Sequence, residues 1–474
     1  MMVRRSKLVC TLGPACNSVE AIKGLIEAGM DVARLNFSHG TQAEHLKHIN
    51  YLREASRQSG KWIPALQDLC GPKMRTGQIP ERYELKVGTH VTLIEGNESS
   101  DPSVIPIPYE GLANDVRPFD TILFDDGRIV AKIAEIKEDR ILASIVQGGT
   151  MRSYVGVHLP SRTMRVSALT EKDRDDLHFG LEQGVDFVAL SFVRRDSDIK
   201  FVRQLCAEWN QPTPIIAKIE TPDAVENLES IMIATDGVMV ARGDLGVEFP
   251  PEQVPIIQKK ILNTAKRVQR PVIVATEMLQ SMTAATRPTR AEASDVANAI
   301  FSGTDALMLS GETATGAHPA LVTMMMSRIA TAAETSLFLE EPPYSIQMVP
   351  PHQSTTVAEA IARGACKTAQ EIGAKFLVAF TETGSSAIKV SLARPYIPII
   401  AFSPNPRTRR QMGLYWGVIP REAPPLHDMD ALICWCTDDL LNFGFASPND
   451  KVVMVFGAPF GVSGSTNSIR VHML

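Results

Sequence analysis

Eight short apolar runs, KLVCTLG, DVARLNFSH, IPALQDL, DFVALSFV, PIIAKIE, GVMVARGD, PVIVATEM and DALMLSGE, recur between amphipathic stretches over residues 7–312. Each is too short for a helix and apolar at odd and even positions alike, the pattern of a parallel strand covered on both faces. Eight such strands alternating with helices fit a (β/α)8 TIM barrel. The stretch before the eighth run carries a helix start, with Thr289 and Glu292 in capping-box spacing after Pro288 and then Val296, Ala297 and Ile300 on one stripe.

The alternation breaks between the third and fourth runs. There VGTHVTLIEG, DTILFDDGRIVAKIAEI and DRILASIVQGG are β-rich and separated by Gly, Asp and Asn turns, which predicts an inserted small β-barrel domain. After the eighth run come a helix and the proline-rich EEPPYSIQMVPPHQS, read as a linker, and then a restarted pattern of helices with FLVAF, PIIAFSP, DKVVMVFG and SIRVHML. The expected division is a barrel over residues 1–71 and 167–345, an inserted domain over 72–166, and a C-terminal α/β domain over 346–474.

A net charge of −5 gives no electrostatic case for nucleic acid or an anionic membrane, so a polyanionic ligand must be met by locally placed cations. Seven cysteines, an odd number with Cys434 and Cys436 one residue apart, match neither a disulfide framework nor a zinc ribbon and read as reduced. The N-terminal MMVRRSKLVCTLG enters a strand with no signal-peptide h-region, and no stretch is long and apolar enough to span a bilayer, which predicts a cytoplasmic protein.

In a barrel of this kind the functional residues belong at the carboxyl ends of the strands. Strand two ends RLNFSHG, whose alternation puts Arg34, Asn36 and Ser38 on one side. Strand three ends in Asp68, followed by Lys73 and Arg75 in CGPKMRTG; strand five supplies Lys218 and Glu220 on one face, strand six Asp244, strand seven Thr276 and Glu277, and strand eight Ser310 and Glu312. Hard oxygen donors such as Glu220 and Asp244 suit Mg²⁺ or Mn²⁺ rather than zinc. Cations converging on such a metal favour phosphoryl transfer over proton abstraction, because that transition state spreads negative charge over oxygens that must be neutralised. Neither a Walker loop nor a kinase glycine-rich loop is present, so a nucleotide would be bound by other means.

KLVCTLGPA, RLNFSHG, GPKMRTG, IIAKIE, MVARGDLGVE, TRAEASDVANAIFSGTDALMLSGETATG and the closing GVSGSTNSIRV together resemble pyruvate kinase, essentially from end to end. The resemblance implies a barrel with a β-domain lid and an allosteric C-terminal domain in a homotetramer, transferring phosphoryl from phosphoenolpyruvate to ADP to give pyruvate and ATP. It implies that Glu220 and Asp244 hold the divalent metal, that Lys218 neutralises the phosphoryl group with Arg34 and Arg75 helping, and that the Gly243 and Asp244 amides take the substrate carboxylate. Thr276 would route the proton that makes pyruvate, the bland reading being a strand-end cap. Asn36, Phe37, Ser38 and His39 with Arg75 would meet the nucleotide phosphates, although His39 beside Gly40 is equally a turn residue. Asp68 could instead brace Arg34 or Lys73, and Glu312 and Arg290 read as supports of the site.

Where family members use potassium, residues matching Asn36, Ser38, Asp68 and the Leu69 carbonyl place it. Here Lys73 stands where the potassium-requiring type has a glutamate, and an ammonium can supply the missing positive charge, so K⁺ is expected not to be required. Leu69 agrees with this; Thr76 is more like the potassium-requiring type. Glu277 stands where the family often has a neutral residue, either altering the local proton path or pairing with an arginine. The loop Thr381, Glu382, Thr383, Gly384, Ser385 and Ser386 precedes a helix and matches the family's effector loop, against the alternative of an ordinary N-cap turn. With no lysine or arginine of its own, and no bulky basic residue in 458–464, it favours a sugar monophosphate or AMP over a bisphosphate. Two other readings remain: a Mg²⁺-dependent enolate lyase or aldolase on the same barrel, and a non-catalytic sugar-phosphate sensor.

Overall fold

The computed structural model describes residues 4–125, 127–159, 168–340, 356–424, 428–458 and 466–474. All eight apolar runs are strands of one closed parallel barrel: Lys7–Leu12, Val32–Asn36, Ala65–Asp68, Phe187–Leu190, Ile215–Ile219, Gly237–Ala241, Val272–Ala275 and Ala306–Leu309. They are numbered one to eight below. Strand one pairs with both strand two and strand eight, which closes the ring.

Alternation along each strand decides what faces the barrel interior. Val9, Val32, Leu66, Ala189 and Ile216 fall in one buried cluster, whereas the intervening Leu8, Cys10, Ala33, Leu35 and Ala217 fall in another with the surrounding helices. Counting on by two from the inward set gives Thr11, Arg34, Asp68, Ser191 and Lys218, so the last inward position of five strands is polar. The apolar layers below them fill the barrel, and the polar layer caps it. The helix Arg290–Phe301 begins at the Thr289 capping box with Glu292, and Val296 and Ile300 are buried.

Between strands three and four the chain forms a six-stranded and a two-stranded sheet, whose side chains enclose a core of their own around Leu93, Ile105, Ile122, Phe124 and Ile133. The proline-rich linker lies outside the described residues, apart from Glu340 at the end of the helix Pro319–Glu340. Beyond it a five-stranded sheet runs in the order Val418–Glu422, Ile399–Ser403, Phe376–Phe380, Lys451–Gly457 and Thr466–Met473, with only the last strand antiparallel to its neighbour. The strand Val418–Glu422 has no counterpart in the sequence reading. It is an edge strand, where Pro420 is tolerated because one side of the ladder needs no N–H donor. Fully buried Asp186, just before strand four, joins this domain to the barrel base by accepting from Arg410 Nε at 2.8 Å and from Arg53 Nη2 at 3.1 Å. All seven cysteines are free thiols, and four of them are buried.

Candidate active site

The polar layer is a network of alternating charge. The Lys218 ammonium donates to Ser191 Oγ at 2.7 Å and lies 2.8 Å from Glu220 Oε1 and 3.2 Å from Asp68 Oδ1. Asp68 in turn accepts from Arg34 Nε at 2.7 Å, and Arg34 Nη1 donates to Thr11 Oγ1 at 3.0 Å. Burial alone would lower the Lys218 pKa, but Asp68, Glu220 and Asp244 outweigh it and raise it, so the ammonium stays charged. Asp68, 1 % exposed, is likewise held below its ordinary value against burial by Lys218 and Arg34. Asp68 therefore braces Arg34 and Lys218, and not Lys73, which is exposed at the edge of a small cavity with His158 and Glu248.

Glu220 is oriented from its other oxygen, where Oε2 accepts the Phe192 N–H at 2.7 Å. That amide is turned inward by a left-handed Phe192 (φ 52°), and Gly71 packs so closely that a Cβ there would come within 2.8 Å of the Phe192 ring and 3.0 Å of Ser191 Cβ. Burial pushes the Glu220 carboxyl up, Lys218 opposes it, and the Asp244 charge pushes further. Two carboxylates that repel across a buried site, both hard oxygen donors, fit a divalent cation that keeps some water and shares its remaining positions with a substrate. Among the described residues no set of three or more His, Cys, Asp and Glu is grouped to hold a metal, so the protein's own share would be these two.

Asp244 and Gly243 lie in the first turn of the short helix Arg242–Glu248. The Gly243 amide donates to Thr276 Oγ1 at 2.7 Å, and the Thr276 hydroxyl donates to the Ala275 carbonyl at 2.7 Å. A carboxylate on that amide would have to displace Thr276. Both Thr276 (φ 67°) and Glu277 (φ 54°) are left-handed, a conformation costing about 1–3 kcal/mol each and unusual for a β-branched residue. Glu277 is exposed and has no ion pair among the described residues; only its carbonyl is used, by Arg242 at 3.4 Å. Buried Glu312 accepts the Ser310 and Leu279 amides at 2.7 and 3.2 Å, tying the loops after strands seven and eight together. Arg290, the first residue of its helix, is exposed.

At the insert side the arrangement is looser. Arg75 is exposed and donates to the Tyr154 carbonyl at 3.2 Å, away from the Lys218 network. Burial holds the His39 pKa down, with Lys73, Arg75 and Arg34 adding to it, so three cations surround the turn after strand two. Phe37 is buried and stacks on His45 at 3.9 Å. Of the four groups assigned to a monovalent cation, three have partners here: Asn36 Oδ1 accepts the Ser38 amide at 3.2 Å, the Leu69 carbonyl accepts the Ser191 hydroxyl at 2.7 Å, and Asp68 faces Arg34 and Lys218.

Family models match this chain over residues 3–322 (pyruvate kinase, barrel domain) and 359–472 (pyruvate kinase, alpha/beta domain). The chain belongs to the pyruvate kinase family. It is 42% identical to a pyruvate kinase of Corynebacterium efficiens, covering 100% of this chain and 98% of that one. A pyruvate kinase of Geobacillus stearothermophilus is 41% identical, with 100% of this chain and 81% of the relative covered. A crystal structure of a pyruvate kinase from Cryptosporidium parvum superposes with a TM-score of 0.93 at 34% identity, over 99% of this chain and 96% of that one. The chain is accordingly an enzyme with pyruvate kinase activity, and the lyase and sensor readings are not favoured.

Within this pyruvate kinase fold, the sequence reading missed Thr11, Ser191 and the arginine Arg242. Thr11 is the last but one residue of strand one and Ser191 directly follows strand four, so the strand-end rule applied there would have found them. In the C-terminal domain, Thr381 Oγ1 accepts the Gly384 amide at 2.9 Å and Ser386 Oγ pairs with Thr466 Oγ1 at 2.6 Å, while Thr383 is exposed. Gly384 (φ 86°) caps the helix Ser385–Leu392. Of residues 458–464 only Ala458 lies within the described residues.

Proposed function

We propose that this chain transfers phosphoryl from phosphoenolpyruvate to ADP in the polar layer that caps the barrel, with Lys218 as the group that neutralises the phosphoryl in flight. The observation that carries the reading is the Lys218 ammonium, kept charged by three carboxylates and placed on the same strand face as Glu220. Glu220 and Asp244 would hold Mg²⁺ or Mn²⁺, which when bound supplies charge neutralisation to the transferring group. Arg34, fixed by Asp68 and Thr11, presents a rigid fork for phosphate oxygens. The Gly243 and Asp244 amides would take the substrate carboxylate, and the Thr276 hydroxyl, freed from the Gly243 amide by that exchange, would route a proton to the enolate carbon. Asn36, Phe37, Ser38 and His39, with Arg75 and Lys73 nearby, would receive the nucleotide phosphates.

Turnover without K⁺ is part of this reading. Its support is the pairing of Asp68 with Arg34 and Lys218, which fills the negative site that a monovalent cation would otherwise serve. Lys73 adds positive field at His39 rather than a direct contact with Asp68. A homotetramer, a cytoplasmic setting, the domain limits 72–166 and 346–474, and a sugar monophosphate or AMP at residues 381–386 complete the proposal. No described helix is long and apolar enough to cross a membrane. The test is pyruvate formation from phosphoenolpyruvate with Mg²⁺, with and without ADP, in tetramethylammonium buffer and again with added K⁺. Turnover that depends on ADP but not on K⁺ is expected; turnover without ADP contradicts the transfer, and turnover only with K⁺ contradicts the Asp68 argument.

A further inference from the structure

Strand seven ends in an arrangement that the phosphoryl-holding residues do not explain. Thr276 and Glu277 are both left-handed, and one guanidinium holds both. Arg242 Nη2 donates to the Thr276 carbonyl at 2.7 Å and to the Glu277 carbonyl at 3.4 Å, and its Nε reaches the Ala275 carbonyl at 3.3 Å. On its far side Nη1 meets both oxygens of Asp295, at 2.6 and 2.8 Å, from the helix Arg290–Phe301. The Ala275 carbonyl that Arg242 reaches is also the acceptor of the Thr276 hydroxyl, and the Gly243 amide that donates to that hydroxyl belongs to the residue after Arg242. The Arg242 side chain thus holds the Ala275 carbonyl, the acceptor that still orients the Thr276 hydroxyl once a substrate takes the Gly243 amide.

A β-branched residue keeps a left-handed backbone only where its surroundings over-determine it. Arg242 does so with donors in a planar fork, and the contact of Nη1 with both oxygens of Asp295 anchors the far end of that fork. Because Asp295 neutralises the guanidinium, the pair supplies geometry more than net field. Lys218, by contrast, is held by Ser191, Asp68 and Glu220, none of which touches Arg242 in the contacts described above.

We propose that Arg242 and Asp295 are a positioning pair for the proton-transfer half of the reaction, setting the aim of the Thr276 hydroxyl while leaving phosphoryl transfer at Lys218 largely independent. This rests on the reading of Thr276 given above. In the step concerned, the electron pair of the enolate C=C bond takes the hydroxyl proton at the methylene carbon and forms the methyl C–H bond. The enolate C–O⁻ becomes the ketone of pyruvate, and the Thr276 oxygen recovers a proton from water. Run backwards, the same path exchanges the methyl hydrogens of pyruvate with solvent.

The experiment follows that exchange by NMR in deuterated water, beside kcat and the KM for phosphoenolpyruvate, in the full-length parent, Asp295→Asn, Arg242→Lys and Thr276→Val enzymes. Asp295→Asn and Arg242→Lys should each slow exchange about 10- to 100-fold and lower kcat, while KM changes less than about threefold. Arg242→Lys keeps the charge but loses the fork, so it separates geometry from field and serves as the second variant if Asp295→Asn folds poorly. Exchange within about twofold of the parent in both, with Thr276→Val slow, overturns the pair and leaves Thr276 in place. Undiminished exchange in Thr276→Val overturns the Thr276 reading and the pair with it. A KM rising in proportion to the loss of exchange overturns the proposal as well, because it marks general collapse of the strand end.

Discussion

Removing the Ser191 hydroxyl tests how Lys218 is held. Among the described residues three groups contact the ammonium, the neutral Ser191 Oγ at 2.7 Å and the carboxylates of Glu220 and Asp68. The same hydroxyl donates to the Leu69 carbonyl at 2.7 Å, so Ser191→Ala removes one contact of the ammonium and leaves the Leu69 carbonyl without that partner in a buried layer. A hydrogen bond to a charged group contributes about 1.5–3 kcal/mol, and without it the ammonium tilts toward the carboxylates and out of the path of the phosphoryl group. At about 1.4 kcal/mol per tenfold in rate, kcat/KM for phosphoenolpyruvate should fall about 10- to 100-fold. Steady-state pyruvate formation at saturating Mg²⁺ and ADP measures it, with the thermal midpoint as a check on folding. Activity within about twofold of the parent would refute the argument, since the ammonium would then be placed by the carboxylates alone.

Further predictions concern the metal, the pH dependence and the domain contact. Glu220→Gln should raise the Mg²⁺ needed for half-maximal turnover by about 10- to 100-fold; an unchanged Mg²⁺ requirement contradicts it. Burial holds the His45 pKa below its ordinary 6.5. The unfolded chain therefore binds more protons as pH falls below 6.5, and stability drops toward the folded value, so His45→Phe should flatten that part of a plot of thermal midpoint against pH. An unchanged slope places the effect elsewhere. Arg410→Ala leaves fully buried Asp186 with Arg53 and the Ala65 amide alone, and should destabilise the protein by about 3 kcal/mol in thermal unfolding.

The barrel was legible because both faces of every strand are buried, which writes eight largely apolar runs into the chain. The strand Val418–Glu422 was not, because an edge strand with Pro420 lacks that signature. Lys218, Glu220, Arg34 and Asp68 come together as alternation predicts, since strand ends on a closed barrel converge whatever the helices do. Arg75 and Lys73 do not join them: Pro72 leads the chain out of the barrel, and where those side chains finish depends on how the insert packs, which no local pattern records. The contact of Arg242 with Asp295 spans 53 residues and a barrel helix, beyond any spacing rule. The hydroxyls of residues 381–386 looked alike in sequence, yet Thr381 and Ser386 have internal partners, and only their surroundings distinguish them from Thr383.

The most direct test of the central claim is Lys218→Met, measured as single-turnover formation of ATP from phosphoenolpyruvate and ADP with Mg²⁺, beside the affinity for phosphoenolpyruvate by calorimetry. Loss of the charge that meets the transferring group should cut phosphoryl transfer by about 100- to 1,000-fold or more while binding weakens by less than about tenfold. Transfer retained above about a tenth of the parent rate, or a loss confined to binding, would show that the chemistry does not run through Lys218.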